Sequence, residues 1–535
     1  MVEVLVVGAG PTGLTLACEL WRHGLPCRII DRRGVPVDRT RAVDVQARTL
    51  EVFQRLGVVD SIIGAGRRLG AMSIYDGPAC LARLEYKAHG AEYPFGVAIP
   101  QTQTESILEQ RLEELGGVVE RGCRLKSLVG AKHHVDVTLS LADGTTEETQ
   151  AAWVVGCDGV ASSVRDEANI EFDNKGAMRS FTTCDATLDW HLPDSEVSLF
   201  ISDSGFLLVL PLPGENRARL ITDGAPTKGS FGDAESMAKM AAIHVGANLN
   251  LRDTGFVGTY YVQRRLARTF RQGRVLLAGD AAHTFDPVGG HGMNQGIQSA
   301  FNLGWKLALV ANQGCDEALL DTYDTERRTA AKRFTRELDF AATLQLSELK
   351  TDEDTHDRLM DFAAGGAPLR RSVLDAALQP QSVYKSQFVR EHVASGYESK
   401  AGAVAGCAAP NVHFGTTDND RLYRRLDGRQ HTLLLFAGAN GDTGLPLTRS
   451  VIEVAKGVMS RWSRRVAVCL AIGRGTEPRD WDGPLIIDER GELHARYGAT
   501  LPCAYLVRPD DHIAYRSCPM DADGLQSFLI GLFRN

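Results

Sequence analysis

The spacing of apolar residues changes twice within the first 31 positions of the chain. Val2–Val7 is a short apolar run, the glycine-rich phrase GAGPTG follows it, and apolar residues then recur at helical spacing as far as Trp21. A second apolar run at 26–30 ends at Asp31. This pattern predicts a strand, a tight glycine turn, a helix and a second strand that ends in an acid, which is the order of a dinucleotide-binding βαβ unit.

The middle and the end of the chain show other patterns. Residues 175–270 alternate apolar and polar positions with few helix signals, which predicts a mostly antiparallel sheet. After about residue 401 the pattern changes again, and strand candidates around one helix predict a small α/β module. We therefore expect an α/β protein with a cofactor-binding domain and helical extension at 1–174 and 271–400, an inserted β-sheet substrate domain at 175–270, and a C-terminal domain at 401–535.

Composition narrows the range of partners. Lys and Arg total 59 against 67 Asp and Glu, for a net charge of −8, so no net positive field attracts nucleic acid. Neither an apolar run of about 18 residues nor a basic leader occurs, so we expect no membrane span and no signal peptide. The eleven cysteines form no CxxC and no zinc-spaced cluster. We expect a cytoplasmic protein without a metal site and without nucleic-acid or membrane partners.

A second glycine-rich segment, GDAAHTFDPVGGHGMNQG, occupies positions 279–296 after another apolar run. Its glycines would let the main chain approach a ligand closely, and Asp280 stands at a strand-to-helix turn. In the first segment, free amides at the helix N-terminus favour a pyrophosphate, while Asp31 can accept hydrogen bonds from ribose hydroxyls. Together the two segments predict a cradle for one long cofactor.

Three motifs now stand in order along the chain: GAGPTG at 8–13, CDGVASSVR at 157–165 and GDAAHTFDP at 279–287. In this order they resemble the single-component FAD-dependent monooxygenases known as the aromatic hydroxylase or phenol hydroxylase family. Within that family the chain is most similar to hydroxylases of polycyclic aromatic polyketides. The resemblance covers essentially the whole chain and implies a Rossmann-like FAD-binding domain and a C-terminal thioredoxin-like domain, which here lacks a CxxC pair.

The resemblance also assigns residues to FAD. It implies that the first glycine turn binds the pyrophosphate, that Asp31 binds the adenosine ribose, and that the segment from Gly290 faces the pyrimidine edge of the flavin. Gln101 and Asp280 would contact the ribityl chain. The full set of implied cofactor-binding residues is Gly8, Gly10, Pro11, Thr12, Gly13, Asp31, Arg32, Arg41, Gln101, Asp158, Asp280, Pro287, Gly290, Gly292, Met293 and Asn294.

Four residues are candidates to act on the substrate. Arg41 and His291 are candidate catalytic residues, and Asp44 and Phe206 are candidate substrate contacts; an apolar core strand explains Phe206 almost as well. Relatives commonly carry Gly where this chain has Asp44, Gln where it has His291, and Asp where it has Ser299. A phenolic substrate calls for a base or a water chain near its ring, and the sequence leaves Arg41, Asp44, His283 and His291 as candidates.

The implied reaction is hydroxylation of a small phenolic or polycyclic aromatic substrate of the polyketide type. NADPH or NADH would reduce the flavin as a transient reductant, O2 would add to it, and the flavin hydroperoxide would deliver oxygen to the ring. Two alternatives stay open: Baeyer–Villiger oxygen insertion into a polyketide, and an oxygen-independent FAD reductase. For the C-terminal domain we expect a structural or dimerisation role, which leaves a homodimer open.

Overall fold

A computed structural model describes most of the chain and divides it into two compact units. One unit comprises Met1–Phe301 with Arg327–Pro380, and the other comprises Asn302–Glu326 with Gln381–Asn535. The implied FAD residues Arg41 and Pro287 lie outside the described residues. The residues that the structure describes are 1–36, 42–86, 92–174, 178–189, 192–202, 205–223, 234–246, 250–255, 257–285, 290–334, 383–394, 402–417, 419–438, 446–474 and 478–533.

The described residues form 28 strands and 12 α-helices. The helices are α1 (Pro11–Arg22), α2 (Ala47–Leu56), α3 (Val59–Ala65), α4 (Gln101–Glu114), α5 (Ser163–Glu167), α6 (Ala234–Val245), α7 (His291–Gln313), α8 (Ala318–Tyr323), α9 (Leu422–Arg425), α10 (Pro446–Trp462), α11 (Glu492–Tyr497) and α12 (Ala522–Phe533). The strands are β1 (Val2–Val7), β2 (Arg28–Asp31), β3 (Asp44–Val45), β4 (Arg67–Leu69), β5 (Ala71–Asp76), β6 (Ala79–Glu85), β7 (Gly96–Ala98), β8 (Val119–Arg121), β9 (Arg124–Gly130), β10 (Val135–Ser140), β11 (Thr146–Gly156), β12 (Phe172–Asn174), β13 (Arg179–Leu188), β14 (Glu196–Ser202), β15 (Gly205–Pro211), β16 (Arg217–Asp223), β17 (Leu251–Arg252), β18 (Val257–Val262), β19 (Arg265–Ala267), β20 (Arg271–Gln272), β21 (Val275–Leu277), β22 (His283–Thr284), β23 (Arg390–Val393), β24 (His431–Phe436), β25 (Val466–Gly473), β26 (Leu485–Asp488), β27 (Cys503–Val507) and β28 (Ile513–Cys518).

The first sheet of the first unit has the order β20-β21-β11-β1-β2-β8, with β10 and β9 continuing from β11. Strands β21, β11, β1, β2 and β8 are parallel to one another. The exposure of residues changes along strand β11. In its first half, beside antiparallel β10, exposed and half-buried residues alternate, whereas Ala151 to Gly156, in the parallel part of the sheet, are all buried. The predicted strand, glycine turn, helix and strand at the N-terminus is confirmed as β1, α1 and β2.

The second sheet of this unit has eight strands in the order β17-β13-β16-β15-β14-β5-β6, with β18 beside β13. All its pairs are antiparallel except β14 with β5. Strands β5 and β6 come from outside 175–270, and helix α6 lies within that range. Alternating apolar positions predict a half-buried strand but carry no information on which sheet it joins, so the sequence did not indicate this addition.

The second unit is built on a sheet with the order β23-β28-β27-β24-β25-β26. Strands β24, β25 and β26 are parallel to one another, β27 is antiparallel to both β24 and β28, and β28 is parallel to β23. Buried residues of the sheet pack with helices α10 and α12 and with Trp305 and Leu319 from the 302–326 segment. This unit therefore has a hydrophobic core of its own.

Within the described ranges, no helix is both long and apolar enough to cross a membrane.

Candidate functional site

The first glycine turn is too crowded for any larger residue at two of its positions. Gly8 has φ +105°, and a Cβ atom added there would lie 2.4 Å from the carbonyl oxygen of Cys157. A Cβ atom on Gly13 would lie 1.9 Å from the carbonyl oxygen of Gly8. The glycines thus let β1, α1 and the end of β11 approach one another at backbone distance.

The start of helix α1 is free to receive an anion. Gly10 is the N-cap residue and makes no side-chain cap, and the first helical residue is Pro11. The atom nearest to a Cβ added at Gly10 is Glu105 Oε1, 4.0 Å away, so space remains over the turn. Uncapped amides at a helix N-terminus are a site for phosphate, and this turn therefore fits the pyrophosphate of FAD.

Asp31 is held against the same turn by backbone donors. Its Oδ2 accepts a hydrogen bond of 2.8 Å from the amide of Ala9, and its Oδ1 accepts one of 2.9 Å from the amide of Arg33. The carboxylate is buried at the end of β2, while Arg32 beside it is exposed. The acid at the strand end is therefore oriented by main chain toward the glycine turn.

Sequence reasoning missed Glu105, which positions Gln101. The two lie one turn apart on α4, and Gln101 donates a 2.8 Å hydrogen bond to Glu105 Oε1 while its own Oε1 accepts one of 3.2 Å from Ala42. Burial raises the pKa of the Glu105 carboxyl. The spacing i, i+4 was the signal that could have identified this pair.

The three sequence motifs meet in the first unit. Thr12 of the first motif fills the space beside two glycines of the second glycine-rich segment, which begins with the third motif, because Cβ atoms on Gly279 and Gly296 would lie 2.5 and 2.3 Å from its Oγ1. Arg165 of the second motif donates a 3.2 Å hydrogen bond to the carbonyl of Ala281 and stacks over Phe172 at 4.1 Å. Segments more than 260 positions apart in sequence thus form one arrangement around the start of α1.

Asp158 lies beside this arrangement, with its side chain turned to helix α5. Its carboxylate accepts hydrogen bonds from the hydroxyls of Ser162 (2.5 Å) and Ser163 (3.0 Å) and from the amide of Val164 (3.2 Å). Burial raises the pKa of the carboxyl, and these bonds oppose the rise. Its Cα would lie 2.8 Å from a Cβ on Gly8, so the backbone of Asp158 borders the first turn. A direct cofactor contact by its side chain stays a prediction.

The second glycine segment begins with the 3-10 turn Gly279–Ala281, on which Asp280 is exposed. Asp280 Oδ1 lies 4.0 Å from the Cβ position of Gly292, which belongs to the first turn of α7. Met293 beside it is half-buried. The structure therefore brings the carboxylate of Asp280 and the amide-rich start of α7 to the same place.

Asn294 ties this segment to strand β3. Its Oδ1 accepts a 3.0 Å hydrogen bond from the amide of Gln46, and its Nδ2 donates to the carbonyls of Asp44 (2.8 Å) and Gly290 (2.7 Å). The side chain of Asn294 is fully buried. Its three hydrogen bonds hold the two backbones in register.

Asp44 lies against Gly290 with few partners for its charge. A Cβ atom on Gly290, where φ is +66°, would lie 2.6 Å from Asp44 Oδ2. Within the described part of the chain, the carboxylate accepts one hydrogen bond, 3.2 Å long, from Gln46 Nε2. Burial raises the pKa of Asp44 to about 7, although that hydrogen bond opposes the change.

The two histidines near the second segment are buried among rings. His291 lies 5.7 Å from the ring of Phe334, and burial lowers its pKa to about 4. His283 lies between Phe270 at 5.7 Å and Phe285 at 5.0 Å, and burial, assisted by Arg327, lowers its pKa to about 3. Both imidazoles are therefore neutral at pH 7.

Ser299 and Phe206 are integrated into the protein interior. Ser299 accepts a 3.1 Å hydrogen bond from Nε of Arg327. Phe206 is fully buried in the core of the second sheet, with its ring 6.3 Å from that of Phe181. A substrate contact by Phe206 stays a prediction.

Comparison with known proteins agrees with this arrangement. Residues 1–338 match the FAD binding domain family. The chain is 30% identical over 525 residues to 6-methylpretetramide 4-monooxygenase of Streptomyces rimosus, covering 96% of this chain and 90% of that protein. It is 29% identical over 524 residues to pentachlorophenol 4-monooxygenase of Sphingobium chlorophenolicum, covering 96% and 93%. The solved structure of OxyS, an anhydrotetracycline hydroxylase from Streptomyces rimosus, superposes with a TM-score of 0.76 at 25% identity, covering 100% and 99%.

Proposed function

The chain belongs to the FAD binding domain family and, within it, to the flavin-dependent aromatic monooxygenases, and from this premise we propose that it hydroxylates a phenolic or polycyclic aromatic substrate of the polyketide type. The observation that carries the proposal is the full-length similarity to enzymes named for oxygenating a pretetramide and a chlorophenol. The meeting of three motifs around Thr12 supports it, because that arrangement suits one extended cofactor.

The residues fit FAD along its length. In the proposal, the uncapped start of α1 binds the pyrophosphate, Asp31 binds the adenosine ribose, Gln101 and Asp280 bind the ribityl chain, and the start of α7 faces the pyrimidine edge. Bound FAD would take a hydride from NADPH or NADH and use O2 to transfer one oxygen atom to the aromatic ring. The task left to the chain is to orient the ring, exclude water and handle the proton of the substrate.

The proposal extends to the domain organisation. We assign cofactor binding to 1–174 and 271–400 and substrate binding to the sheet of 175–270, joined by β5 and β6. For 401–535 we propose a thioredoxin-like domain with a structural or dimerisation role. The order β24, α10, β25 with parallel strands, followed by antiparallel β27 and β28, supports that assignment.

The function is tested by the flavin content and the oxygen balance of the purified protein. We expect a yellow protein that oxidises NADPH or NADH faster when an aromatic substrate is present, with one atom from isotopically labelled O2 in the hydroxylated product. A screen of phenols and aromatic polyketides, with mass analysis of products, would identify the substrate.

Each alternative has a different outcome in the same experiment. Oxygen inserted beside a carbonyl would establish a Baeyer–Villiger reaction, and nicotinamide oxidation without O2 uptake would establish a reductase. Colourless protein that cannot be reconstituted with FAD would contradict the proposal as a whole.

A further inference from the structure

Strand β3 places Asp44 between the two segments proposed to hold the flavin end of the cofactor. The two residues before Asp44 are hydrogen-bonded to the segment that leads into α4. The amide of Ile99 donates to the carbonyl of Val43 (2.7 Å), and the amide of Gln101 donates to the carbonyl of Ala42 (3.1 Å). On its other side, Asn294 donates to the carbonyl of Asp44 itself. Asp44 is therefore held by backbone ties on both sides.

The carboxylate of Asp44 has unused capacity for hydrogen bonds. An ionised carboxylate offers about four acceptor positions, and of the described residues Gln46 supplies one donor. Among the described residues no Lys or Arg forms an ion pair with it. A half-buried carboxylate with one donor is costly unless another partner completes its shell.

Among the residues that the structure describes, those that face Asp44 offer no other proton acceptor. Strand β7 places Gly96, Val97 and Ala98 beside Asp44, and Gly290 lies against its carboxylate. None of these four residues has a titratable side chain. Tyr86 is buried near Asp44, and burial together with the charge of Asp44 raises its pKa above the ordinary range, so it stays a neutral phenol. His291, next to Gly290, is neutral and packed on Phe334.

The other candidates for a base are weaker on structural grounds. His283 and His291 are each 1% exposed and lie against aromatic rings, which leaves little room for a substrate hydroxyl. The candidate Arg41 is an arginine, which stays protonated and cannot accept a proton. Asp44, in contrast, combines partial exposure with an open acceptor shell.

We propose that Asp44 accepts the hydrogen bond, and then the proton, of the substrate's phenolic hydroxyl, and so selects phenols over their ethers. This inference rests on the proposed function and adds a specificity-determining residue to it. The step is redox-neutral: the phenol O–H bond breaks, an O–H bond forms on the Asp44 carboxylate, and the electron pair stays on the phenolate oxygen, where it activates the ring. The proton leaves Asp44 again when the product is released.

The sign of the pH dependence follows from the pKa of about 7. Above pH 7 the carboxylate is ionised and accepts strongly, so the preference for phenols is fully present. Below pH 7 it is protonated and the preference falls. A base poised near the working pH is also the most effective in proton transfer.

The test measures binding to the oxidised, FAD-loaded enzyme without reductant, so that no turnover is needed. The probes are matched pairs with one, two and three rings: phenol and anisole, 1-naphthol and 1-methoxynaphthalene, and 1-hydroxyanthracene and its methyl ether. For at least one pair we expect the wild type at pH 8 to bind the phenol about 10- to 100-fold more tightly, the size of one hydrogen bond to a charged group. The ratio should shrink at pH 5.5.

Two variants and one control locate the effect. Asp44→Asn keeps the shape but cannot ionise, so its ratio should be smaller and independent of pH, and in Asp44→Gly the preference should disappear. The control is Asp76→Asn, the same change at the exposed end of β5, which should behave as wild type. In turnover, the acid limb of kcat/KM near pH 7 should be present in the wild type and absent from Asp44→Asn.

The outcomes separate this inference from the proposed function. If the wild type hydroxylates an aromatic substrate but shows no preference in any pair, or if the Asp44 variants keep both the ratio and the acid limb, Asp44 has another role and the function stands. If the wild type binds no FAD, or consumes NADPH or NADH without O2 uptake, the proposed function itself is wrong.

Discussion

Two acids, one in each unit of the molecule, have pKa values shifted in opposite directions: Glu326 is buried and Asp44 is half-buried. Glu326 in the second unit is fully buried and accepts hydrogen bonds from Arg508 (2.7 and 2.9 Å), Lys306 (2.7 Å) and Asn302 (2.9 Å). Burial alone would raise its pKa, but Arg508 and Lys306 hold it at about 2. Asp44 in the first unit has one amide donor, and burial raises its pKa to about 7.

The difference shows that burial sets the cost of a charge while its partners decide whether the charge persists. Glu326 belongs to a closed cluster in which two cations face two acids, because Asp510 also pairs with Arg508. Such a cluster joins the 302–326 segment to the loop after β27, and its acids are paired with cations of the same unit. Asp44 keeps an open acceptor shell beside the residues proposed to hold FAD, which is typical of acids with a chemical role.

The largest expected effect comes from opening the closed cluster. In Glu326→Gln, Arg508 and Lys306 lose their shared anion inside the protein, so we expect a loss of about 3–5 kcal/mol in the free energy of unfolding. Urea denaturation followed by far-UV circular dichroism measures it. Glu489→Gln, at an exposed glutamate of the same unit, is the matched control and should change little.

The same variant should lose part of its acid sensitivity. The folded pKa of Glu326, about 2, lies below its ordinary value of 4.5, so its contribution to stability is present above pH 4.5 and is lost as the pH falls toward 2. A wild-type protein and a variant with equal pH slopes in this window would contradict the assignment of a charged Glu326.

Asp44→Asn should have the opposite sign. The folded pKa of Asp44 lies above its ordinary value of 3.8, so the wild type loses stability as the pH rises from 4 to 7. We expect the FAD-free variant to be more stable than wild type at pH 8, by at most about 4 kcal/mol at 1.36 kcal/mol per pKa unit. The gain should vanish near pH 4, as measured by thermal unfolding at both pH values. A variant that is less stable than wild type at pH 8 would contradict a raised pKa of Asp44.

Asp280 is a third acid, exposed and proposed to bind the ribityl chain of FAD. Removing a charged hydrogen-bond partner of the ribityl chain in Asp280→Ala should weaken FAD binding by about 10- to 100-fold. Flavin fluorescence titration of the FAD-free protein measures the dissociation constant. Unimpaired binding would remove Asp280 from the site, and Asp76→Ala serves as the exposed control.

The smallest effect is expected at a surface ion pair. Glu235 and Lys239 on α6 form a pair while remaining 77% and 73% exposed. Water and salt screen such a pair, so Glu235→Gln should leave the melting temperature within experimental error. A clear change in the melting temperature of Glu235→Gln would contradict the view that solvent exposure weakens the contribution of an ion pair to stability.

Much of the cofactor-binding half was predictable from local patterns. The N-terminal βαβ unit has the predicted order. Family membership and enzyme class are confirmed by the comparisons. The addition of β5 and β6 to the second sheet was not predictable, because strand pairing depends on partners distant in the chain.

The site shows the same division between local and distant information. Glycine positions, the uncapped start of α1 and the acid at the end of β2 follow from short stretches of sequence. The i, i+4 spacing of Gln101 and Glu105 on α4 is also a local pattern. The contact of Arg165 with Ala281, in contrast, crosses 116 positions and leaves no pattern within a single segment.

The sequence by itself determined the βαβ unit, the glycine turns and the class of cofactor, because backbone conformation and helix starts are encoded over a few neighbouring residues. Only the tertiary structure decided which acids keep their charge. Asp44 and Glu326 are both carboxylates in the sequence, and their pKa values diverge because one is packed against Gly290 with a single donor while the other is surrounded by Arg508, Lys306 and Asn302. Desolvation and pairing depend on the residues that the fold packs around a group, and these come from distant parts of the sequence.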